Sequence, residues 1–156
     1  MDDSGFAVYD TSFGVIKISY AAGFITNVDF VSAGDDRIGE CHNFLSDRTY
    51  AELEEYFKGE RKVFDLPLNL IGTDFQKKVW SALCEIPYGE TCSYKDIAVA
   101  VGKPNASRAV GMANHRNPIV IIVPCHRVVG ANGSLVGYGG GLDRKKWLLD
   151  LEKNHK

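Results

Sequence analysis

Residues 93–116, SYKDIAVAVGKPNASRAVGMANHR, write two short helical patterns around a Gly-Pro break, which leaves the chain little choice but a pair of angled helices. Ser93 and Asp96 have capping-box spacing, Ile97 and Val101 supply a buried stripe, and Gly102 closes the first helix. After the four-residue turn GKPN, Asn105 is the expected N-cap of the second helix. Upstream, TDFQKKVWSALCEIPYG repeats Phe75, Val79, Ala82, Leu83 and Ile86 at helical spacing until Pro87 and Gly89 end it. The order helix, helix, turn, helix has helix-turn-helix form.

The first half reads differently. GVIKISY (14–20) alternates Ile16, Ile18 and Tyr20 with Lys17 and Ser19, and ITNVDFV (25–31) follows the Gly23 turn, so a hairpin is expected. SDRTYAELEEYFKGE then predicts a helix with Ser46 as N-cap, Tyr50, Leu53 and Phe57 on its buried stripe, and Gly59 as its stop. VFDLPLNLIG (63–72) is the expected extended connection, which divides the 156 residues into domains 1–69 and 70–156 of an α/β (α+β) protein. The longest aliphatic run, Ile119–Val123, is far shorter than the roughly 20 residues of a membrane span, and the N-terminus has no signal-peptide pattern. The four cysteines are therefore expected as reduced, intracellular thiols.

The net charge of −2 conceals two unlike halves. Residues 1–69 carry 6 Lys+Arg against 13 Asp+Glu, while residues 70–156 carry 12 against 7. Either the basic half meets an anion such as nucleic acid, or the halves dock on each other. The second helix of the pair adds small residues, Ala106, Ala109 and Ala113, and keeps Gly111 despite a cost of roughly 1 kcal/mol in a helix interior. Close approach of a DNA groove explains them, and so does packing against another helix. Arg108 sits in the first helical turn, a poor place for a cation by the helix dipole, so it is either a binding residue or an ordinary exposed arginine.

IVIIVPCHRVVG (119–130) is the chemical centre of the sequence. An apolar run expected as a buried strand ends at Pro124 and presents Cys125 beside His126. Thiolate is the reactive form of cysteine, burial raises the thiol pKa, and an adjacent imidazole can accept the proton. Neighbours on an extended strand point to opposite sides, so the pair needs a turn after Pro124 or a bridging water. On a helix from about 143, Glu152 falls near the apolar side with Leu148 and Leu149, where it orients His126 or else faces solvent at a fraying end. A buried cysteine that only packs is the plainer alternative for Cys125.

VPCHRVV, together with SY (93–94), NASRAVG (105–111), NP (117–118) and YGGGLDRKKWLL (138–149), resembles the O6-alkylguanine-DNA alkyltransferase family over about residues 72–152. The resemblance implies a ribonuclease H-like sheet-plus-helix domain, then a mainly helical, winged-helix-like domain with the helix-turn-helix. It implies irreversible, cofactor-free transfer of an alkyl group from guanine O6, and from thymine O4 in some members, to Cys125 after nucleotide flipping. His126 would act as base through a water, with Glu152 orienting it and Asn117 tying the helix-turn-helix to the strand. Tyr94 would contact the phosphate of the flipped nucleotide, and Arg108 would fill the gap in the stack.

Tyr138, Gly139 and Gly140 would form the donor-bearing pocket wall, with Ser93 and Ala109 among the DNA-binding residues. Some relatives have a hydroxyl residue where Gly139 stands, so only its amide could donate there. The implied partner is double-stranded alkylated DNA, met by a monomer through the minor groove, in the cytoplasm (the prokaryotic nucleoid) or the nucleus. No metal is expected, because Cys41 and His42 lack a second ligand pair at zinc-binding spacing. Two other functions stay open: a lesion binder without catalysis, whose known examples have tryptophan at the cysteine position, and a Cys-His-Glu hydrolase unrelated to DNA.

Overall fold

The computed structural model describes residues 3–34, 37–136, 138 and 141–156. The chain forms two compact units, Met1–Leu70 and Ile71–Lys156, within a mixed α/β fold.

In the first unit, β1 (Gly5–Thr11), β2 (Gly14–Ala21) and β3 (Phe24–Val31) make an antiparallel sheet in sequence order. The β2–β3 hairpin turns through Ala22 and Gly23, both at positive φ, the conformation that suits a two-residue turn to the strand twist. Alternation along β2 buries Ile16, Ile18 and Tyr20. β1 is the strand that alternation does not announce: its Ala7, Val8 and Tyr9 are all buried, so the period of two is lost.

Helix α1 (Phe44–Phe57) covers this unit with Leu53, Tyr56 and Phe57. Its N-cap is Asn43, not Ser46: Ser46 is the reciprocal partner in the capping box and also accepts a 2.8 Å hydrogen bond from the Tyr9 hydroxyl. Gly59, at positive φ, follows the last turn. The connection then runs beside β3, with Ile25 N donating to Pro67 O (2.8 Å) and Asn69 N to Ile25 O (2.9 Å).

In the second unit, α2 (Asp74–Cys84) starts at Thr73, which forms a capping box with Gln76. Its buried residues are Val79, Trp80 and Leu83, while the expected Phe75 and Ala82 are half-buried, so Trp80 joins a core face in which spacing does not include it. The short strand β4 (Cys92–Ser93) leads into α3 (Tyr94–Ala100), where Ser93 and Asp96 form the expected capping box.

After a turn comes α4 (Ser107–His115), whose N-cap is Ala106 rather than Asn105, with no side-chain cap. The alanines divide between the two alternatives: Ala113 is buried in packing, and its carbonyl accepts the Trp80 indole N–H at 2.9 Å, whereas Ala109 is exposed. Strand β5 (Val128–Val129) pairs in parallel with β4, and α5 (Leu142–Asn154) completes the unit.

The run 119–123 is not a regular strand. Ile121 has φ +73° and Ile122 N donates to Val120 O at 2.8 Å, a γ-turn that is strained for a β-branched residue. Pro124 (φ −82°, ψ 63°) makes an inverse γ-turn closed by Cys125 N to Val123 O at 2.8 Å. A buried apolar run with one tight turn inside it and another at its end presents that end as a point rather than as an edge.

Candidate active site

That point is a single 3-10 turn, Cys125–Arg127, buried at all three residues. The turn after Pro124 thus replaces the opposed geometry of a strand. Two asparagines at the end of α4 hold its approach: Asn117 Nδ2 donates to Val123 O (2.7 Å) while its Oδ1 accepts from Ile119 N (3.0 Å), and Asn114 Nδ2 donates to Cys125 O (3.4 Å). The backbone that carries Cys125 is therefore fixed by the helix-turn-helix. Below it, Ser93 pairs with Val129 across the β4–β5 ladder.

His126 is fully buried, and its Nε2 lies 2.6 Å from Glu152 Oε2. Glu152 is shared: Arg127 donates Nε to Oε1 (2.8 Å) and Nη2 to Oε2 (3.0 Å), and Gly89 N donates to Oε1 (3.0 Å). Arg127 also donates Nη1 to Ile86 O at 2.7 Å. Burial raises the Glu152 carboxyl, but the hydrogen bonds and charges of His126 and Arg127 outweigh it and hold the group well below the carboxylate range. Burial pushes the His126 pKa down, against the pull of Glu152 and with the help of Arg127 and Lys145.

One carboxylate already faces one bidentate guanidinium, so a neutral imidazole keeps the buried cluster neutral. In that tautomer Nε2–H donates to Glu152 and Nδ1 is the basic nitrogen.

This cluster sets an acid limit on stability. Unfolded, His126 takes a proton near pH 6.5 while the folded ring resists it, so stability is lost as pH falls below that value. Glu152, depressed in the fold, contributes stability that is present above about 4.5 and lost as pH falls from there toward its folded value. The thermal midpoint of the second unit is expected to drop in these two windows, measured by calorimetry across pH; a flat midpoint from pH 7 to 4 would contradict the assignment.

Cys125 exposes 3% of its surface. Burial pushes its thiol pKa up to about 11, offset in part by the Asn117 amide and the Lys145 charge. Tyr138 is buried beside it, and its hydroxyl, with no hydrogen-bond partner among the described residues, is raised well above the usual phenol range by burial and by the Cys125 charge. Tyr94 is half-buried and donates to Val136 O at 3.2 Å. Gly139 and Gly140, expected in the pocket wall, lie outside the described residues. Arg108 and Ala109 are exposed on α4, and Arg108 has no partner among the described residues.

A groove of about 570 Å³ along α2 and α3, with Lys77, Lys78 and Glu85 in its wall, includes none of these residues.

Sequence reasoning missed Arg127 and Lys145. Arg127 stands next to the histidine in PCHRV, and a buried His-Glu pair beside an arginine is a signal that one carboxylate serves both. Lys145, Leu148 and Glu152 recur at i, i+3, i+7, which places the lysine on the buried face of α5.

A thiol, an imidazole and its carboxylate on a unit of helix-turn-helix form define an α/β protein of the thiol-nucleophile class. Residues 74–154 match the family described as 6-O-methylguanine DNA methyltransferase, DNA binding domain. The methylated-DNA–protein-cysteine methyltransferase of Methanosarcina barkeri is 48% identical over 95% of this chain and 96% of that one, and its Mycobacterium leprae counterpart is 49% identical over 93% and 90%.

The crystal structure of Mycobacterium tuberculosis O6-methylguanine methyltransferase has a TM-score of 0.89 at 44% identity, covering 98% of this chain and 94% of that one. The Mycobacterium tuberculosis OGT in complex with DNA has 0.88 at 45%, covering 96% and 93%. The chain belongs to the methylated-DNA–protein-cysteine methyltransferase family.

Proposed function

We propose that the protein repairs DNA by direct reversal, moving the alkyl group of O6-alkylguanine, and of O4-alkylthymine where it fits, irreversibly onto Cys125. The observation that carries this reading is the placement of a buried thiol and a neutral imidazole in one turn, with the imidazole clamped by a carboxylate at 2.6 Å.

The Cys125 proton passes through a water to His126 Nδ1, and the imidazolium that forms is stabilised by Glu152. The thiolate attacks the alkyl carbon in line, the carbon–oxygen bond breaks, and the electron pair leaves with guanine O6. The proton returns to the base at N1, so guanine and S-alkylcysteine are the products. Tyr138 and the Gly139 and Gly140 amides donate to the departing base. No cofactor takes part in this scheme.

A base within a duplex does not reach Cys125, so the nucleotide flips out at a cost of a few kcal/mol, and Cys125, buried in this structure, is uncovered as it enters. The protein acts as a monomer on the minor groove. Arg108 fills the vacated stack, Ala109 and Ser93 lie along the backbone, and Tyr94 meets the flipped nucleotide's phosphate. The first unit is read as ribonuclease H-like, supported by its β1-β2-β3-α1 order, and the second as winged-helix-like, supported by α3-turn-α4 beside the β4–β5 ladder. The alternative of a lesion binder is disfavoured by the cysteine at 125.

The deciding experiment is intact mass after incubation with a duplex containing O6-methylguanine. The expected result is one methyl group per protein, on the peptide holding Cys125, with stoichiometric loss of the lesion. Repeated turnover without modification would instead reveal a hydrolase.

Gly111 supplies a second test. Its φ is not positive, and an added Cβ would meet only the Tyr94 ring at 3.8 Å, so packing does not demand glycine there. It lies three residues after Arg108 on α4, on the same side of the helix. Gly111→Ala is expected to stabilise the protein by about 1 kcal/mol while weakening duplex affinity. Unchanged affinity in a fluorescence titration would remove the glycine from the interface.

A further inference from the structure

Lys145 is an expensive residue where it stands. Its side chain is fully buried, and among the described residues it has no carboxylate partner; one of its three donors is used on Val136 O at 2.7 Å. A lysine in such a site is tolerated when an anion is near, and the one that the site can generate is the thiolate of Cys125. Seven residues along the same face of α5, about 10 Å away along the axis, stands Glu152. One helix therefore carries a cation in electrostatic interaction with the nucleophile and an anion bonded to the base.

We infer that Lys145 is a positioning residue of the transfer reaction: its ammonium stabilises the Cys125 thiolate, as Glu152 stabilises the imidazolium, and its bond holds the Val136 carbonyl. This deepens the proposed function and rests on that reading for its consequence in repair.

Val136 O is a shared node, since it also accepts from the Tyr94 hydroxyl, so α3 and α5 grip the same carbonyl. The groups that interact electrostatically with Cys125 are Tyr94 from α3, Tyr138, and Lys145 from α5, while His126 and Arg127 of the turn and Glu152 of α5 pair among themselves. Arg127 is committed to Glu152, and both phenols are raised by burial first and by the Cys125 charge second, so neither lowers the cost of the thiolate. Lys145 is the cation whose charge favours the thiolate, and the thiolate in turn offsets the effect of burial on the lysine.

The test separates charge from strap without requiring DNA. Lys145→Gln keeps a donor for Val136 O and removes the charge; Lys145→Met removes both. Thiolate absorbance would be titrated in each protein, with the matching Cys125→Ser variant subtracted to isolate the one sulfur. Both variants are expected to move the Cys125 ionisation upward by about one unit or more, and to slow methyl transfer at neutral pH about tenfold or more with duplex affinity retained.

An unshifted titration in the folded variants would overturn the proposal, as would a transfer defect confined to Lys145→Met, which would leave only the strap. Failure of both variants to fold would also overturn it, in favour of a structural cation. Loss of transfer in the unsubstituted protein with the titration shift intact would refute the repair reading and spare the electrostatic one.

Discussion

His126→Gln is expected to slow transfer on the order of 10²–10⁴-fold, the range that a positioned general base contributes, while duplex affinity stays within a few-fold. Glutamine keeps a donor for Glu152 Oε2, so the buried carboxylate retains its contact, but it cannot take the thiol proton. The effect should fade as pH rises toward the Cys125 pKa of about 11, because hydroxide then ionises the thiol unaided. Single-turnover rates against pH, with binding measured on the same duplex, check this. Equal loss of binding and rate would make the histidine structural.

Glu152→Ala is expected to cost about 3–5 kcal/mol of unfolding free energy in the second unit, a loss typical of breaking a buried ion pair from one side. The substitution strands Arg127, which is 7% exposed, removes the acceptor for Gly89 N, and deprives His126 of its orienting partner. Removing both charges, as Glu152→Leu with Arg127→Met, should recover part of the stability, since apolar residues of similar size spare the desolvation. Transfer should stay impaired in the double variant. Urea unfolding of the three proteins decides it, and a single-variant loss below about 1 kcal/mol would show that Glu152 is not the hub of the cluster.

The two predictions isolate different layers of one site. The first concerns a proton that moves only during reaction, and the second concerns charges that must be matched before any reaction occurs. Lys145 joins the layers, because a buried cation that burdens the resting fold becomes an asset once the sulfur is anionic.

Local chemistry made much of this legible beforehand. Capping at Ser93 and Asp96 needs only residues three apart, and the β2–β3 hairpin needs only alternation and a glycine turn. The misassigned caps, Ser46 for Asn43 and Asn105 for Ala106, are local errors of a few residues where several polar side chains compete. Spacing leaves Trp80 out of the core stripe and the role of Ala113 open for a longer-range reason. A helix stripe drawn from spacing alone does not know that α4 offers a carbonyl to the indole N–H.

The sequence by itself determined the inventory: a Cys-His pair after Pro124, a helix-turn-helix pattern, a carboxylate on the closing helix and the motifs that define the family. Tertiary structure decided how that inventory acts. It folded the 119–123 run into turns instead of a strand, placed the cysteine and histidine in one 3-10 turn, and gave Glu152 to Arg127 as well as to His126. It also buried Lys145 with no carboxylate partner among the described residues. The reason is physical: spacing fixes which faces of an element are apolar, whereas the pairing of buried charges depends on which elements meet, across 26 residues in the case of His126 and Glu152.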